Sequence, residues 1–564
     1  MGFDIETAKV PAFADKPSAG LDPHLSKIRL AQFCKDTSEA YVFDVWAVGL
    51  EVIMPLFDMS LVAHNAVFEI KHLHHAGIEP MEMHCNMLMH NALYGDRISL
   101  KNLAKKILNV DLSKEEQVSD WGAETLSEDQ IKYAAMDAVM ALRIGRVLNM
   151  RMMGQPCKRL YSVLWQAQYA VAKMEYNGCN FDVAGHYSLK NEWKSSLEKA
   201  TISLQAIVGG EVNLSSPKQI SDWLETKLTQ EDLDAWPKTI SGPLQITEDA
   251  LNGFGHLDFI IPLLEYKKYT KLNSTYGDKL LNHVSPVTGR IHPSFSIAGA
   301  ITGRFTCSKP NTQQMPREDG FRRLFNAPKG RKIIVADYSQ VELRVLAMIT
   351  QDPTMLKAYE QGKDLHKLTA SKTSGVPFED VTKEQRQGAK AVNFGLVFGM
   401  GAKGLSQYAR ATYGVSMSVK NAEKAKKAYF KTYPQIAQWH KQTYTRSKRL
   451  RLAETPLGRK VDLRKKPDKI YTRSKNIPVQ GGAAEIMLAA LISLDNKLIG
   501  FGMDAKIVNI VHDEIVLEVV EDQAEKVKEI LEESMVEGML FVFPEAVTSG
   551  LVEAAIGNNW TEAK

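Results

Sequence analysis

Disulfide and structural-zinc chemistry are missing from this chain. Its five cysteines, Cys34, Cys85, Cys157, Cys179 and Cys307, include no CxxC pair and no His–Cys ligand spacing, so the expectation is reduced thiols inside a cell. No apolar run reads as long as the roughly 18 residues a membrane span needs. The first ten residues carry two acids where a signal peptide has a basic head. A soluble cytoplasmic protein follows, neither secreted nor held in a membrane. Internal repeats and low-complexity tracts are also lacking. A strong excess of one charge is absent too: a formal net charge of +4 on 564 residues barely favours nucleic acid in bulk.

What is present is ordinary globular material, 44% apolar and 24% charged, enough to build cores. At about 100–200 residues per domain the length suggests three or four compact units. Phe3 to Thr7 opens a series of alternating strand and helix patterns to about residue 150, an α/β domain. Between about residues 190 and 285 the apolar spacing is helical. From Arg290 strands return, and another helical insert separates "KIIVADYSQVELRVLAMI" from the strands around Val511. An α/β segment interrupted in this way is one domain with an inserted lobe, in which distant carboxylates can meet.

The charge is unevenly placed. From Lys424 to Arg451 the chain reads "KAKKAYFKTYPQIAQWHKQTYTRSKRLR", with no acid and with aromatic rings among the bases. That suits a nucleic-acid groove, stacking surfaces beside phosphate-pairing charges; a solvated helical face is the alternative.

Acids interrupt apolar patterns at several points. In "VHDEIVLEV", Val511 to Val519, two apolar runs flank a short polar tip, which predicts a β-hairpin. Neighbouring strand residues face opposite ways, so Asp513 and Glu514 cannot share one core, and one must meet water, a cation or a partner. "IIVADYSQVELRVLA" is an apolar strand ending at Asp337, followed by a turn carrying Gln340 and a segment with Glu342 and Arg344. A carboxylate at a buried strand end is costly unless paired, metal-bound or used as a helix cap. In "VTKEQRQGAKAVNFGLVFGMG", Thr382 and Gln385 form a capping box, and Arg386, Lys390, Phe394 and Phe398 recur every four residues along one side. Two cations on that stripe argue against a purely buried face and suit a triphosphate, with a ring beyond for a base or sugar. At the N-terminus "FDIET" puts Asp4 and Glu6 on one strand face, "HNAVFEIKHL" carries Glu69, and "YAAMD" places Tyr133 and Asp137 at i and i+4.

These residues carry two resemblances. Asp4, Glu6, Glu69, Tyr133 and Asp137, in that order, resemble the DEDD exonucleases of the tyrosine subclass. Asp337 to Arg344, the Arg386–Lys390–Phe394 stripe, and Val511 to Glu514 resemble motifs A, B and C of family A DNA polymerases, the DNA polymerase I family. "TGRFTCSKPNTQQMP" from Thr302, "NIPVQGGAAEIM" from Asn476 and "GNNW" before the end are similar to further family segments. The resemblance runs from Phe3 to Trp560, with no counterpart of the family's 5′ nuclease domain, as expected of phage-like enzymes and bacterial large fragments. The implied layout is an α/β 3′–5′ exonuclease domain of ribonuclease H-like DEDD fold at 1–150 and an α+β right-hand polymerase domain at 151–564. Within the latter the thumb spans about 190–285, the palm about 286–350 and 475–564, and the fingers about 351–474.

By resemblance, Asp337 and Asp513 are the metal-binding carboxylates of the palm, with Glu514 in support, and Asp4, Glu6, Glu69 and Asp137 hold the exonuclease metals, with Tyr133 orienting the attacking water. The cofactor implied is Mg2+, two ions per site, with Mn2+ able to substitute. Arg386 and Lys390 hold phosphates, Lys390 also donating a proton to pyrophosphate. Phe394 packs on the incoming sugar, where the family's phenylalanine implies discrimination against a nucleotide lacking its 3′ hydroxyl. Glu342 closes the space of a 2′ hydroxyl. Gln340 and Phe398 complete the nucleotide site. Arg304, Asn311, Gln313, Asn476, Gln480 and His512 contact primer or template, for His512 against the alternative of a satisfied structural histidine. The partners implied are primer-template DNA and dNTPs, with the protein a monomer aided by a processivity factor or helicase in a bacterial or phage-infected cell.

Three positions depart from the family pattern: Glu69 for aspartate, Phe398 for tyrosine and Ile510 for glutamine. The extra methylene of Glu69 would move an ion by about an ångström, a displacement worth on the order of 100-fold in rate. A single-subunit RNA polymerase shares two palm aspartates and a lysine-bearing helix, but Glu342 argues against it. A non-catalytic nucleic-acid binder is disfavoured because every carboxylate the chemistry needs is present.

Overall fold

The structure is a computed structural model that describes residues 1–564 except 37, 38, 114, 115, 117, 118, 240 and 318. By compactness it separates into two units: Met1–Phe181, Val284–Val345 and Tyr444–Lys564 in one, Asp182–His283 and Leu346–Thr443 in the other.

The first unit holds two larger sheets. One is mixed and five-stranded, in the order Ala40–Asp44, Ser26–Cys34, Gly2–Lys9, Ser60–Ala63, Glu82–Cys85. The first three strands are antiparallel, and the last two run parallel to Gly2–Lys9. Alternation along Gly2–Lys9 decides its faces. Phe3 packs against Phe33 and Phe57 on one side, with ring centroids 5.0 and 5.5 Å away. The other side carries Gly2, Asp4 and Glu6 toward the helix Glu128–Met152. Gly2 lets that helix approach closely, since a Cβ there would collide with the Ala138 carbonyl oxygen.

The second sheet is antiparallel, in the order Ala505–Val511, Glu514–Val520, Arg331–Tyr338, Val552–Gly557. The helix Ala524–Val542 lies on it, and the helix Ile470–Gly500 packs on that helix in turn. Gly538 permits this second contact, because a Cβ would meet the Ile486 carbonyl oxygen at 2.7 Å. The helix Cys157–Asn177 touches both the helix Val67–His75 and the strand Ala505–Val511, tying the two sheets together.

Two expectations are corrected here. The segment Pro467–Gly500 does pass the length and hydropathy test for a membrane span, contrary to the reading that no apolar run is long enough, but 83% of its apolar window is buried inside the protein. It is a core helix, which hydropathy alone cannot distinguish from a span. In the basic stretch, Tyr429 and Tyr433 are core residues, each 1% exposed, and offer no stacking surface. All five cysteines are free and buried.

The second unit is mainly helical. Val183–Val208 packs along Ile260–Tyr276 over a core containing Trp223, Trp236 and Phe254. Leu365–Ser374, Lys383–Val397, Ala402–Tyr413 and Val419–Thr432 form a second helical cluster.

Candidate active site

The predicted hairpin forms with the shortest of loops. His512 and Asp513 alone join the strands Ala505–Val511 and Glu514–Val520, and Val511 pairs with Glu514. On its other edge Glu514–Val520 pairs with Arg331–Tyr338, setting Asp337 opposite Glu514, and the Tyr338 N–H donates to the Asp513 carbonyl at 3.1 Å. Asp337 and Asp513 thus meet at the ends of neighbouring strands. Asp337 Oδ1 is buried with no hydrogen-bond partner, so it does not act as a helix cap. Burial, and then the Asp513 charge, push Asp337 up to about 7, and burial raises Asp513 as well. Two half-buried carboxylates near enough to repel, one with an unused oxygen, fit a hard divalent cation.

The turn stores strain. His512 is exposed and adopts φ +61°, the left-handed region that glycine normally fills at the first position of a two-residue hairpin loop. Exposure means that His512 is not a core residue. Relief of about 1–2 kcal/mol of left-handed strain outweighs the roughly 0.5–1 kcal/mol of backbone entropy that glycine brings. His512→Gly is therefore expected to raise the denaturation midpoint while weakening primer extension. A midpoint at or below that of the parent would show the turn to be unstrained. Gln340 also has positive φ, +54°, and its Oε1 is buried without a partner.

Neighbouring groups are already engaged. Glu514, 2% exposed, accepts from Trp560 Nε1 at 2.6 Å and from Lys564, so its carboxylate is directed at the last turn of the chain. Lys564 Nζ also lies 3.9 Å from Asp337 Oδ2. Glu342 pairs with Arg304 and hydrogen-bonds Gln480, so the expected gate is clamped by two residues expected on DNA. The Asn311 side chain caps the turn at Gln313, and Gln313 Nε2 donates to the Ile510 carbonyl at 3.4 Å. Asn476 Oδ1 is buried and unpartnered. Arg344 binds the carbonyls of Ser339, Val547, Ser549 and Gly550, which makes it a structural clamp.

In the second unit the capping box of Thr382 and Gln385 forms in both directions and starts the helix Lys383–Val397. Arg386, Lys390 and Phe394 lie on it half-buried, while Phe398 falls one residue beyond, as its C-cap. Arg386 is held by Asp364, Nε to Oδ2 at 2.8 Å, and Phe394 stands 5.6 Å from the His366 ring.

The N-terminal acids also converge. Ligand oxygens of Asp4, Glu6 and Asp137 lie within 4.8 Å of one another. Tyr133, one turn earlier on the helix Glu128–Met152, hydrogen-bonds Asp137. Glu69, 2% exposed, shares a hydrogen bond with Asp4, while its Oε2 is buried and unpartnered. Among the described residues the converging cluster is therefore three carboxylates, with Glu69 hydrogen-bonded to Asp4. Burial, followed by the charges of Asp137, Glu6 and Glu69, holds Asp4 well above the usual carboxylate range. Burial, then Asp137 and Glu69, push Glu6 to about 9, and burial pushes Glu69 to about 8. Such a cluster needs protons or a cation, and all-oxygen donors select a hard one.

Sequence reading missed several participants. Lys564 reaches Glu514 from the end of the chain, as does Trp560, whose GNNW segment the sequence had marked without its contact. Gln32 sits opposite Asp4 across the strand pair, fully buried with both amide atoms unpartnered. An apolar strand context hid it.

Comparison with known proteins adds to this geometry. Residues 185–562 match the family model described as DNA polymerase family A, and residues 8–152 match one described as 3′-5′ exonuclease. The second match begins just after Glu6, so the Asp4–Glu6 pair rests on geometry. The chain is 33% identical to DNA polymerase I of Aquifex aeolicus over 557 residues, 95% of this chain and 94% of that protein. It is 35% identical to DNA polymerase I of Pseudomonas aeruginosa over 83% of this chain and 52% of that one. With the thermostable DNA polymerase I of Thermus aquaticus it shares 34% over 70% of this chain and 47% of that one. The chain thus spans nearly all of the first relative and about half of the other two. In fold it is similar to the POL domain of Pol1 from M. smegmatis, solved with primer-template DNA and dNTP, at a TM-score of 0.84 and 23% identity over 99% of this chain and 96% of that one.

Proposed function

Since this chain belongs to DNA polymerase family A and carries a 3′–5′ exonuclease domain, we propose that it extends a primer 3′ end with dNTPs on a DNA template and trims mispaired ends, in replication or repair. The meeting of Asp337 and Asp513 at adjacent strand ends, with a buried unpartnered oxygen on Asp337, supports this activity above all. Family A polymerases are metal-dependent. The ions taken here are Mg2+, two per site, with Mn2+ as substitute, held by Asp337 and Asp513 in the palm and by Asp4, Glu6 and Asp137, backed by Glu69, in the exonuclease domain. When bound, such ions supply Lewis acidity and neutralise developing charge.

The chain's own residues do the rest. Arg386 and Lys390, near the capped start of their helix, hold the triphosphate, Arg386 exchanging Asp364 for phosphate oxygens. Lys390 gives a proton to the departing pyrophosphate. Phe394 bears on the sugar and Gln340 lines the nucleotide site. Arg304, Asn311, Gln313, Asn476 and Gln480 offer donors to minor-groove acceptors that are similar for every base pair, which suits sequence-blind copying. Tyr133 orients water in the exonuclease site. The setting is the cytoplasm, with the protein acting as a monomer that a processivity factor or helicase can assist.

Glu342 gives the test that separates this reading from a ribonucleotide polymerase. Its carboxylate is clamped by Arg304, which supports its reading as the group that excludes a 2′ hydroxyl. Parent enzyme on a primed DNA template should use dNTPs and reject NTPs, and Glu342→Ala should relax that preference by on the order of 100-fold. Equal use of both nucleotides by the parent would overturn the proposal.

A further inference from the structure

The helix Val419–Thr432 presents Lys420, Lys424, Lys427 and Lys431 to solvent, and among the described residues none of the four has an ion pair or hydrogen-bond partner. At 100° per residue they fall within about 60° of arc and extend over about 16 Å of helix. Ala422 and Tyr429, on the opposite side, are buried, fixing which way the stripe faces. The helix holds one acid, Glu423, outside that stripe, and the next 28 residues, from Lys424 to Arg451, hold none. Like charges one turn apart repel and lower helix stability, so a face with only a solvating role would alternate signs. Within its arc of about 60° this face carries one sign, with Glu423 bordering it one turn from Lys420 and Lys427.

We propose that this stripe binds the sugar-phosphate backbone of the unpaired template strand ahead of the primer end. Charge complementarity selects a polyanion, and compact lysine ammonium groups bind phosphate without reading bases. The stripe itself carries no ring, and Tyr429 on the opposite side of its helix is buried, so backbone attraction is the mode of contact this face offers. The stripe helix packs against Lys383–Val397, the helix given above to the incoming nucleotide. On the proposed polymerase function, on which this inference rests, template not yet copied is the strand that continues past that nucleotide.

The experiment compares primer-templates with 5′ template overhangs of about two and about twelve nucleotides, titrated at several salt concentrations against the parent and a Lys420→Gln, Lys424→Gln, Lys427→Gln, Lys431→Gln variant. The parent should bind the long overhang more tightly and with a steeper salt dependence. The variant should lose that increment, about tenfold at low salt, with the log–log slope shallower by up to roughly 3 for four single-strand phosphate contacts. Binding and extension on the short overhang should stay at the parental level, which also shows that the variant folds. The proposal is overturned if the parent gains nothing from the longer overhang, if the variant keeps the gain, if both overhangs weaken equally, or if the gain requires the overhang to be double-stranded. Failure of the parent to extend the short overhang would instead remove the polymerase reading itself.

Discussion

Primer extension is expected to fall by roughly a thousandfold or more in Asp513→Asn, from the loss of charge stabilisation at the reacting phosphate, while primer-template affinity stays nearly unchanged. The substitution keeps shape and removes charge beside Asp337, whose buried Oδ1 has no partner in the protein. Stability provides the control. Burial and the Asp513 charge raise Asp337 to about 7 in the fold. The folded protein then holds more protons than the unfolded chain between roughly pH 4 and 7, so stability falls as pH rises through that window. Removing one of the two charges lessens the loss. Metal-free Asp513→Asn should therefore melt no lower than the parent at pH 8, and inactivity accompanied by a lower melting point would indicate misfolding instead. Unchanged extension would reject the catalytic assignment.

The second large effect belongs to the N-terminal cluster. Asp4→Ala should reduce removal of a mismatched 3′ nucleotide by about a thousandfold while leaving extension of a paired primer intact, because Asp4 belongs to a different sheet from Asp337. The pH dependence has the same sign as in the palm and a wider window. Asp4 lies well above the usual carboxylate range, Glu6 near 9 and Glu69 near 8. Metal-free protein should lose stability from about pH 5 to 9 as these groups ionise in the fold, with Mg2+ restoring it and Asp4→Ala flattening the slope. Mismatch removal that survives Asp4→Ala would place the exonuclease site elsewhere. A parent that fails to trim, but trims as Glu69→Asp, would locate the defect in the longer side chain.

The carboxylates were legible because each interrupts an otherwise apolar pattern: Asp337 at a strand end, Asp513 at a hairpin tip, Asp4 and Glu6 two apart. Local periodicity located the capping box at Thr382 and the Tyr133–Asp137 pair for the same reason. What failed to show was long-range. Nothing near Glu514 announces that Trp560 and Lys564 take up its oxygens. Nothing around Tyr429 says which face of its helix is buried, and two of the aromatic rings expected to stack on bases, Tyr429 and Tyr433, proved to be core. The strand Gly2–Lys9 has a register shift between Glu6 and Thr7 that alternation cannot foresee. Glu342 and Arg304 were assigned separate roles, although the fold joins them as an ion pair.

The apolar helix Ile470–Gly500 carries a consequence for synthesis. The helix Cys157–Asn177 that packs on it comes earlier in the chain, but its other cover, the helix Ala524–Val542, lies later, so a nascent polypeptide emerges from the ribosome with one side of this greasy segment uncovered until that later helix follows. A ribosome stalling in that interval would release a product prone to aggregate or to be seized by chaperones and membranes, and the speed of translation through the final strands becomes a determinant of soluble yield.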